Sequence, residues 1–350
     1  MTNIKLPKVS ICIPVYNNVS TIKDTIDSLL LQTYQNIEIL VVDNASTDGT
    51  DLIIKSFKDH RLKLYSFNEH LTMEANVERA IELSTGEYIA VYHGDDVYRP
   101  EIISKEVKYL ERYLDVAAVF TLGISIDING KYLEDYSNPQ EIQKLEGFSK
   151  CYSFIDIFKL VLRDYNFLIC PTAMVRSNIY KNLETKWTNG KFKTSADLGV
   201  WMGILEKYPI GILPERLIYN RHSGVNRYSE KVRFMNTKRA DFFLVIEHYL
   251  SKPEIYKKLS IEDVNHYSFL IFKDDVLRGL NSIISGNYPL AKELLGFKNI
   301  SYTNFYVKNQ NSIGYIVKWS IYCLTAKIIL NTPFKKLFGR YLRKRLYKYE

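Results

Sequence analysis

Residues 9–17 have the sequence VSICIPVYN, in which a short apolar run ends in a proline, an aromatic ring and an amide. The run Val9–Ile13 predicts a buried strand. Apolar residues follow at Ile22, Ile26, Leu29 and Leu30, a spacing that predicts one face of a helix. A buried strand followed by an amphipathic helix is the first half of a βαβ unit. This stretch therefore predicts an α/β fold with a mostly parallel sheet flanked by helices.

The alternation of short apolar runs with amphipathic stretches continues through the first half of the chain. Ile37–Val42 and Tyr88–Tyr92 are predicted to be buried strands, and Leu62–Phe67 a weaker one. The polar segment Asn129–Lys150 predicts a hairpin or a loop, and Cys170–Val175 a further strand. Beyond residue 227 the strand patterns fade into helical patterns rich in Tyr, Phe and Lys. We therefore predict an α/β domain over residues 1–228 and a basic helical region over residues 229–350.

Charge is distributed unevenly along the 350 residues. The net charge is +8, but residues 232–350 hold 20 Lys and Arg against 9 Asp and Glu, whereas residues 1–231 are slightly acidic. The four cysteines have no metal-ligand or redox spacing, which favours reduced thiols in a reducing compartment. No apolar leader precedes Val9 and no run of 18 apolar residues occurs, so we expect a cytoplasmic protein.

Polar and aromatic residues follow three of the predicted strands, where a sheet of this kind binds ligands. Pro14, Tyr16 and Asn17 follow the first strand, residues 43–50 (DNASTDGT) the second, and residues 93–96 (HGDD) the strand Tyr88–Tyr92. Each group alone fits a turn or a helix cap. Their joint placement at one edge of the sheet favours a ligand site.

These segments, in this order and spacing, make the chain resemble the family 2 glycosyltransferases, which have the GT-A fold. The matching elements are residues 9–17, 32–34, 37–50, 86–89, the loop 95–100, and Ala196-Asp197 with Trp201. The resemblance covers approximately residues 8–226. It implies a Rossmann-like, nucleotide-sugar-binding domain.

The resemblance also implies roles for individual residues. Asp43 would hydrogen-bond the nucleotide base, with Pro14 and Tyr16 lining its pocket. The remaining residues predicted to bind the nucleotide-sugar are Asn17, Asn44, Ser46, Asp95 and Arg221. Asp95, with Asp96, would bind Mg²⁺ or Mn²⁺, since hard divalent ions take carboxylate and phosphate oxygens.

Three further features bear on the predicted chemistry. The usual Asp-x-Asp loop of the family has His93 at its first position here. Asp197 is the candidate general base, although Thr194 and Asp197 also have the spacing of a capping box, as do Thr21 and Asp24. His222 follows Arg221 where many family members close over the diphosphate or reach the metal, so it is a candidate metal ligand.

The predicted function is inverting transfer of a sugar from a nucleotide-sugar, with a UDP-sugar favoured, to a glycan or lipid-linked acceptor in cell-surface polysaccharide synthesis. A sugar-nucleotide pyrophosphorylase would need a Gly-rich loop after the first strand, which residues 14–17 do not provide. A third hypothesis is a catalytically degenerate domain retained for binding or assembly, and His93 is the feature that favours it.

The tail at residues 334–346 (FKKLFGRYLRKRL) interleaves cations with apolar side chains. As a helix it would place positions 334, 337/338, 341/342 and 345/346 on one face, which suits an anionic membrane surface at the inner membrane face. A solvated helix face is the alternative. We expect no nucleic acid partner, because no recognised binding module accompanies the charge, and the sequence leaves a homo-oligomer open.

Overall fold

A computed structural model describes residues 6–136, 138–143, 151–221, 237–296 and 310–346. The chain divides into two compact units, residues 1–222 and 223–350. The predicted boundary at residue 228 lies outside the described residues and stays a prediction.

In its described residues, unit 1 is built on one mixed sheet of ten strands. The strands are β1 (Val9–Val15), β2 (Ile37–Asn44), β3 (Leu62–Phe67), β4 (Tyr88–Val91), β5 (Val97–Tyr98), β6 (Ala118–Ile126), β7 (Tyr132–Asp135), β8 (Cys151–Tyr152), β9 (Met174–Arg176) and β10 (Ile210–Arg221). Their order is β3-β2-β1-β4-β9-β6-β10-β5, with β7 beside β6 and β8 beside β10. The pairs β1–β2, β2–β3, β1–β4 and β6–β10 are parallel, whereas β9 is antiparallel to both of its neighbours.

Helices cover the sheet of unit 1 and supply the rest of its core. The side chains of Ile22, Ile26 and Leu29 are fully buried in the same cluster as β1, as their spacing predicts. Gly86 passes so close to β1 that a Cβ atom there would lie 2.6 Å from the Ser10 nitrogen. The helices are α1 (Ile22–Leu30), α2 (Thr50–Ser56), α3 (Met73–Leu83), α4 (Ile102–Arg112), α5 (Gln140–Gln143), α6 (Phe154–Asp164), α7 (Ser177–Lys181) and α8 (Ala196–Leu205).

The structure corrects two local expectations and bears out a third. Cys170–Thr172 forms a 3₁₀ turn, and the strand that follows is only Met174–Arg176, because Pro171 interrupts the run. Neither expected capping box forms: α1 and α8 have no side-chain cap, and the Thr21 hydroxyl donates to the Gly94 carbonyl instead. The hairpin expected after Asn129 is present, since β7 pairs with β6.

Unit 2 is helical in its described part, as the sequence predicts. The helices are α9 (Phe242–Leu250), α10 (Pro253–Tyr256), α11 (Ile261–Ile284), α12 (Tyr288–Leu295), α13 (Gln310–Leu330) and α14 (Lys335–Leu346). The core lies between α11, α12, α13 and α14 and is built from apolar side chains such as Val276, Leu295 and Leu330. Among the described residues, none of these helices combines the length and the apolar character that crossing a bilayer requires.

Candidate functional site

A cavity of about 580 Å³ opens beside the carboxyl ends of β1, β2 and β4 in unit 1. Strands that are parallel and adjacent bring their following loops to one edge of the sheet. Five of the predicted site residues line this cavity: Pro14, Tyr16, Asn44, Asp95 and Asp197. The structure therefore brings the predicted base pocket, metal loop and general base to one site.

Tyr16 and His70 form an aromatic pair at the mouth of the cavity. Their ring centroids are 4.2 Å apart, and Tyr16 is 46% exposed, so its ring is accessible to a ligand. A ring of this kind stacks on a planar base. His70 is held in turn by its Nδ1, which lies 3.1 Å from the carbonyl oxygen of Asn44.

The side chain of Asn44 fixes the loop that follows β3. Its Oδ1 accepts from the Leu71 amide at 2.9 Å, and its Nδ2 donates to the Leu71 carbonyl at 2.8 Å. Both polar atoms of the amide are therefore used within the protein. Asn44 lines the cavity and holds His70 and Leu71 in place, and its contact with a nucleotide-sugar stays a prediction.

Asp43, Ser46 and Asn17 form a hydrogen-bonded network beside the cavity rather than in its lining. Asp43 Oδ1 accepts from both the hydroxyl and the amide of Ser46, and the Ser46 hydroxyl oxygen accepts from the Asn17 amide at 2.9 Å. Asn17 and Ala45 both have positive φ. Asparagine adopts this backbone conformation more readily than most residues. The network ties the loops after β1 and β2 together. Direct contact of these three residues with a nucleotide stays a prediction.

The loop after β4 brings together three residues that are able to bind a metal ion. Ligand atoms of His93, Asp95 and Asp96 all lie within 4.8 Å of one another. The loop passes so close to β1 that a Cβ on Gly94 would lie 2.7 Å from Val15 Cγ1, so a side chain at position 94 would displace it. Burial lowers the pKa of His93, which leaves the imidazole neutral, the form that binds metals.

The two carboxylates of this loop differ in their surroundings. Asp95 lines the cavity, whereas Asp96 is fully buried and its two oxygens each accept from Asn220 Nδ2 at 3.0 Å. The Arg221 amide also donates to Asp96 Oδ1, at 2.8 Å. Burial, with the charge of Asp95 beside it, raises the pKa of Asp96 well above its usual range. Asp95 is therefore the carboxylate best placed to meet a ligand, and Asp96 holds the loop against β10.

Arg221 lies against the Asp95 loop and outside the cavity lining, so its predicted contact with a nucleotide-sugar stays a prediction. Its side chain is buried, and the guanidinium donates to the Asp95 carbonyl at 2.9 Å, to the Ile128 carbonyl at 2.7 Å and to the Asp24 carboxylate at 2.9 Å. As placed, Arg221 supports the backbone of the Asp95 loop and does not line the cavity. His222, the other residue predicted there, lies outside the described residues.

The donor set fits a divalent cation with few protein ligands. One partly exposed carboxylate and one neutral imidazole would leave the remaining positions to phosphate oxygens and water, as divalent ions at such sites commonly have. The nitrogen ligand suits Mn²⁺ better than Mg²⁺. His93 and Asp95 are the residues that would hold the ion.

Asp197 lies half-buried at the start of α8, on another part of the cavity lining. Burial raises its pKa to about 6, although hydrogen bonds from the Leu198 amide and from Asn166 partly oppose this effect. A carboxylate with a pKa near 6 accepts a proton more readily than an ordinary aspartate and is still ionised at neutral pH. This is the property that a general base requires.

The cavity also contains residues that sequence reasoning missed. His70, Asn76, Cys170 and Trp187 all line it. A signal for His70 existed, because it follows the weak strand β3 at the same sheet edge. Asn76 is buried, with Nδ2 donating to the Val42 carbonyl at 3.0 Å and with no partner for Oδ1 within the described protein. No local pattern marked Cys170 or Trp187, which reach the cavity only through tertiary packing.

The fold and this cavity define an α/β protein with a candidate ligand site at one edge of its sheet. The family model for glycosyl transferase family 2 matches residues 10–168, and this part of unit 1 belongs to that family. It is a glycosyltransferase with the GT-A fold, as the sequence motifs predict.

Named relatives agree with this assignment. The chain is 26% identical over 271 residues to an uncharacterized glycosyltransferase, MJ1057, of Methanocaldococcus jannaschii, covering 76% of this chain and 88% of that one. It is 27% identical over 245 residues to WfaP of Escherichia coli, a UDP-Glc:alpha-D-GlcNAc-diphosphoundecaprenol beta-1,3-glucosyltransferase, covering 66% and 86%. The solved mannosyltransferase PcManGT of Pyrobaculum calidifontis, in complex with GDP-Man and Mn²⁺, has a TM-score of 0.56 and 14% identity, covering 93% and 88%. That likeness concerns the fold.

Proposed function

We propose that this chain is an inverting glycosyltransferase that moves a sugar from a UDP-sugar to a glycan or lipid-linked acceptor in the synthesis of a cell-surface polysaccharide. The observation that carries the proposal is one cavity lined by both Asp95 and Asp197, the latter with a pKa raised to about 6. A carboxylate at the metal loop and a second carboxylate of raised pKa elsewhere in the lining are the two groups that direct displacement needs.

In the proposed reaction Asp197 removes the proton from the acceptor hydroxyl as that oxygen attacks the anomeric carbon. The new glycosidic bond forms as the bond between that carbon and the diphosphate oxygen breaks, so configuration inverts. Asp95 and His93 would hold Mn²⁺ or Mg²⁺, which when bound would neutralise charge on the departing diphosphate. Desolvation of the cavity strengthens these electrostatic contributions.

The proposed base pocket uses the Tyr16–His70 pair and Asn76. Tyr16 offers a ring face for stacking, and the unpartnered Oδ1 of Asn76 is an acceptor for a ring N–H such as that of uracil. The choice of uridine is supported by the UDP-Glc named for WfaP. The Mn²⁺ held in the PcManGT complex supports the choice of ion.

The proposed acceptor is a glycan or a lipid-linked saccharide, as the diphosphoundecaprenol acceptor named for WfaP supports. A lipid-linked acceptor presents its sugar at a membrane surface. We therefore also propose that the chain works in the cytoplasm, as a peripheral protein at the inner membrane face.

The test is turnover of a panel of UDP-, GDP- and dTDP-sugars with Mn²⁺, with and without lipid-linked saccharides. We expect acceptor-dependent release of UDP and a product whose anomeric configuration, read by NMR coupling constants, is opposite to that of the donor. Retention of configuration would contradict the direct displacement. Binding of a nucleotide-sugar with no hydrolysis or transfer under any condition would instead support the degenerate binding subunit.

A further inference from the structure

Helix α13 is apolar on two opposite faces, which an isolated surface helix seldom is. One face packs into the core of unit 2 through Cys323, Ala326 and Leu330. Positions 317, 321, 324 and 328 follow the spacing i, i+4, i+7 and i+11, which places them in a narrow stripe on the side of the helix away from this core. These four side chains are 49–60% exposed: Val317, Ile321, Leu324 and Ile328.

Helix α14 adds to this exposed apolar surface. The sequence predicted one face containing both members of the pairs 337/338 and 341/342, and the structure divides them. Leu342 is buried and Phe338 packs against the same core. Leu337 and Tyr341, one position before each of them, are exposed. Three apolar side chains are therefore 51–65% exposed here: Leu337 and Tyr341 on α14, and Phe334 directly before it.

The charged residues of these two helices have one sign. Residues 310–346 contain eight Lys and Arg and neither Asp nor Glu. Lys318, Lys336 and Arg340 are exposed on the same two helices. We call the seven exposed apolar side chains, together with these three cations, the two-helix face.

We propose that the two-helix face docks on an anionic lipid surface. Apolar side chains in a stripe beside cations are what an amphipathic segment needs to lie in the headgroup region. Each cation near an anionic leaflet adds an attraction that acts over about a Debye length. The apolar side chains add affinity by leaving water.

Charge also argues against a second copy of the chain, and against a nucleic acid, as the partner of this face. A symmetric dimer brings the same patch of both copies together, so the cations would face cations across the interface. A nucleic acid backbone would pair with the cations but would leave the apolar stripe without a partner. A lipid surface satisfies both components. The proposal adds a specific surface to the peripheral location proposed above, and its evidence is independent of the donor and acceptor.

The test is co-sedimentation of the full chain with phosphatidylcholine vesicles that contain or lack phosphatidylglycerol. We expect binding to the anionic vesicles, little binding to the neutral ones, and release at high salt, since the Debye length falls from about 10 Å at 0.1 M to about 3 Å at 1 M. No acceptor or nucleotide is present, so a failed transferase assay and a failed docking assay are separate results.

Two pairs of variants test the two components of the face. Leu324→Ser with Ile328→Ser removes apolar surface, and Lys336→Gln with Arg340→Gln removes charge. We expect each double variant to lower the vesicle partition coefficient roughly tenfold or more, which corresponds to about 1.4 kcal/mol. Because all four side chains are exposed, the thermal midpoint should stay near that of the parent.

Matched controls come from another part of unit 2. Ile261 is 82% exposed at the start of α11, and Lys257 and Lys258 are exposed beside it. Ile261→Ser, and Lys257→Gln with Lys258→Gln, should leave vesicle binding within about twofold of the parent. Equal loss in controls and test variants would overturn the proposal, as would absence of binding to anionic vesicles. A dimer, seen by light scattering and dissociated by Leu324→Ser with Ile328→Ser, would assign the face to a second copy and also overturn it.

Discussion

The side-chain amide of Asn166 donates a hydrogen bond to Asp197, with 3.2 Å between Nδ2 and Oδ2. The orientation of that amide is set by its other end, because Oδ1 accepts from the Leu168 amide at 3.2 Å. Tyr165, directly before it, has a φ of 62°, an uncommon value for a bulky residue. The chain thus turns sharply after α6 at the point where it presents an amide N–H to the candidate base.

This contact predicts the pH dependence of transfer. Asp197 must be ionised to accept a proton, so kcat/KM should fall as the pH drops through its pKa of about 6. A hydrogen bond to the carboxylate favours the ionised form, so Asn166→Ala should raise this pKa and move the acid limb of the profile to higher pH. Burial raises the pKa of Cys170 and of Tyr180, so both remain neutral in this range.

A control separates this effect from general damage. Asn182 carries the same side chain on the surface of unit 1, where its Nδ2 donates only to the Asn178 carbonyl at 2.7 Å. Asn182→Ala should leave the midpoint of the acid limb unchanged. A uniform loss of rate in Asn166→Ala, with the same midpoint as the parent, would contradict a role acting through Asp197.

Replacing Asp197 by Asn tests the base itself. The amide cannot take a proton, so kcat should fall by about 10²–10⁴, the usual contribution of a general base. The N-cap residue of α8 is Ser195, which makes no side-chain cap bond, so the substitution removes no bond of that kind. Binding of UDP, measured by calorimetry, should stay within about threefold of the parent. Near-parental turnover would assign the proton transfer to another group.

Replacing Asn76 by Ala tests the proposed base pocket. Its Oδ1 has no hydrogen-bond partner within the described protein although the residue is only 2% exposed, so a ligand N–H would find an acceptor there. Asn76→Ala should weaken UDP binding about tenfold, the value of one hydrogen bond in a desolvated site. The change also removes the bond to the Val42 carbonyl, so the thermal midpoint of the free protein is measured alongside. Loss of stability with unchanged UDP affinity would leave Asn76 with a structural role only.

The order of strands and loops in unit 1 was predictable because it depends on local patterns. The runs at Val9, Ile37 and Tyr88 became neighbouring strands, and parallel pairing alone brings their following loops together. The same local patterns failed for the caps: Thr21 and Thr194 have the right spacing, but Thr21 donates across the fold to Gly94. Spacing identifies what a side chain is able to do locally, and tertiary contacts decide between the alternatives.

The partners of the site residues were not predictable for the same reason. Asp96 and Arg221 are 125 positions apart, yet β10 brings the Arg221 amide to the Asp96 carboxylate. Nothing near Arg221 in the sequence indicates that its guanidinium donates a hydrogen bond to the Asp95 carbonyl. Likewise Asn166 reaches Asp197 only because Tyr165 turns the chain. Such contacts depend on register and backbone conformation, which a single sequence does not encode in a readable pattern.

Asp95→Ala tests the metal loop. The residue lies on the cavity lining, and the contacts that hold the loop use the Asp95 backbone carbonyl and the Asp96 carboxylate, so the fold should persist. We expect loss of Mn²⁺-dependent transfer by at least about 10²-fold. Manganese binding followed by electron paramagnetic resonance should weaken in parallel. Parental turnover and parental Mn²⁺ affinity in this variant would move the ion to other residues.

His93→Asp tests whether the imidazole sets the choice of ion. The side chain is partly exposed, its Nδ1 lies 3.8 Å from the Asp96 carboxylate, and burial lowers its pKa, so it is neutral and able to bind a metal ion. Mg²⁺ prefers oxygen ligands, whereas Mn²⁺ accepts imidazole nitrogen. Replacement by a carboxylate should therefore raise the ratio of kcat/KM with Mg²⁺ to that with Mn²⁺, and His93→Ala should lower kcat/KM with Mn²⁺. An unchanged ratio in His93→Asp, with parental rates in His93→Ala, would make His93 a bystander and leave Asp95 as the principal protein ligand.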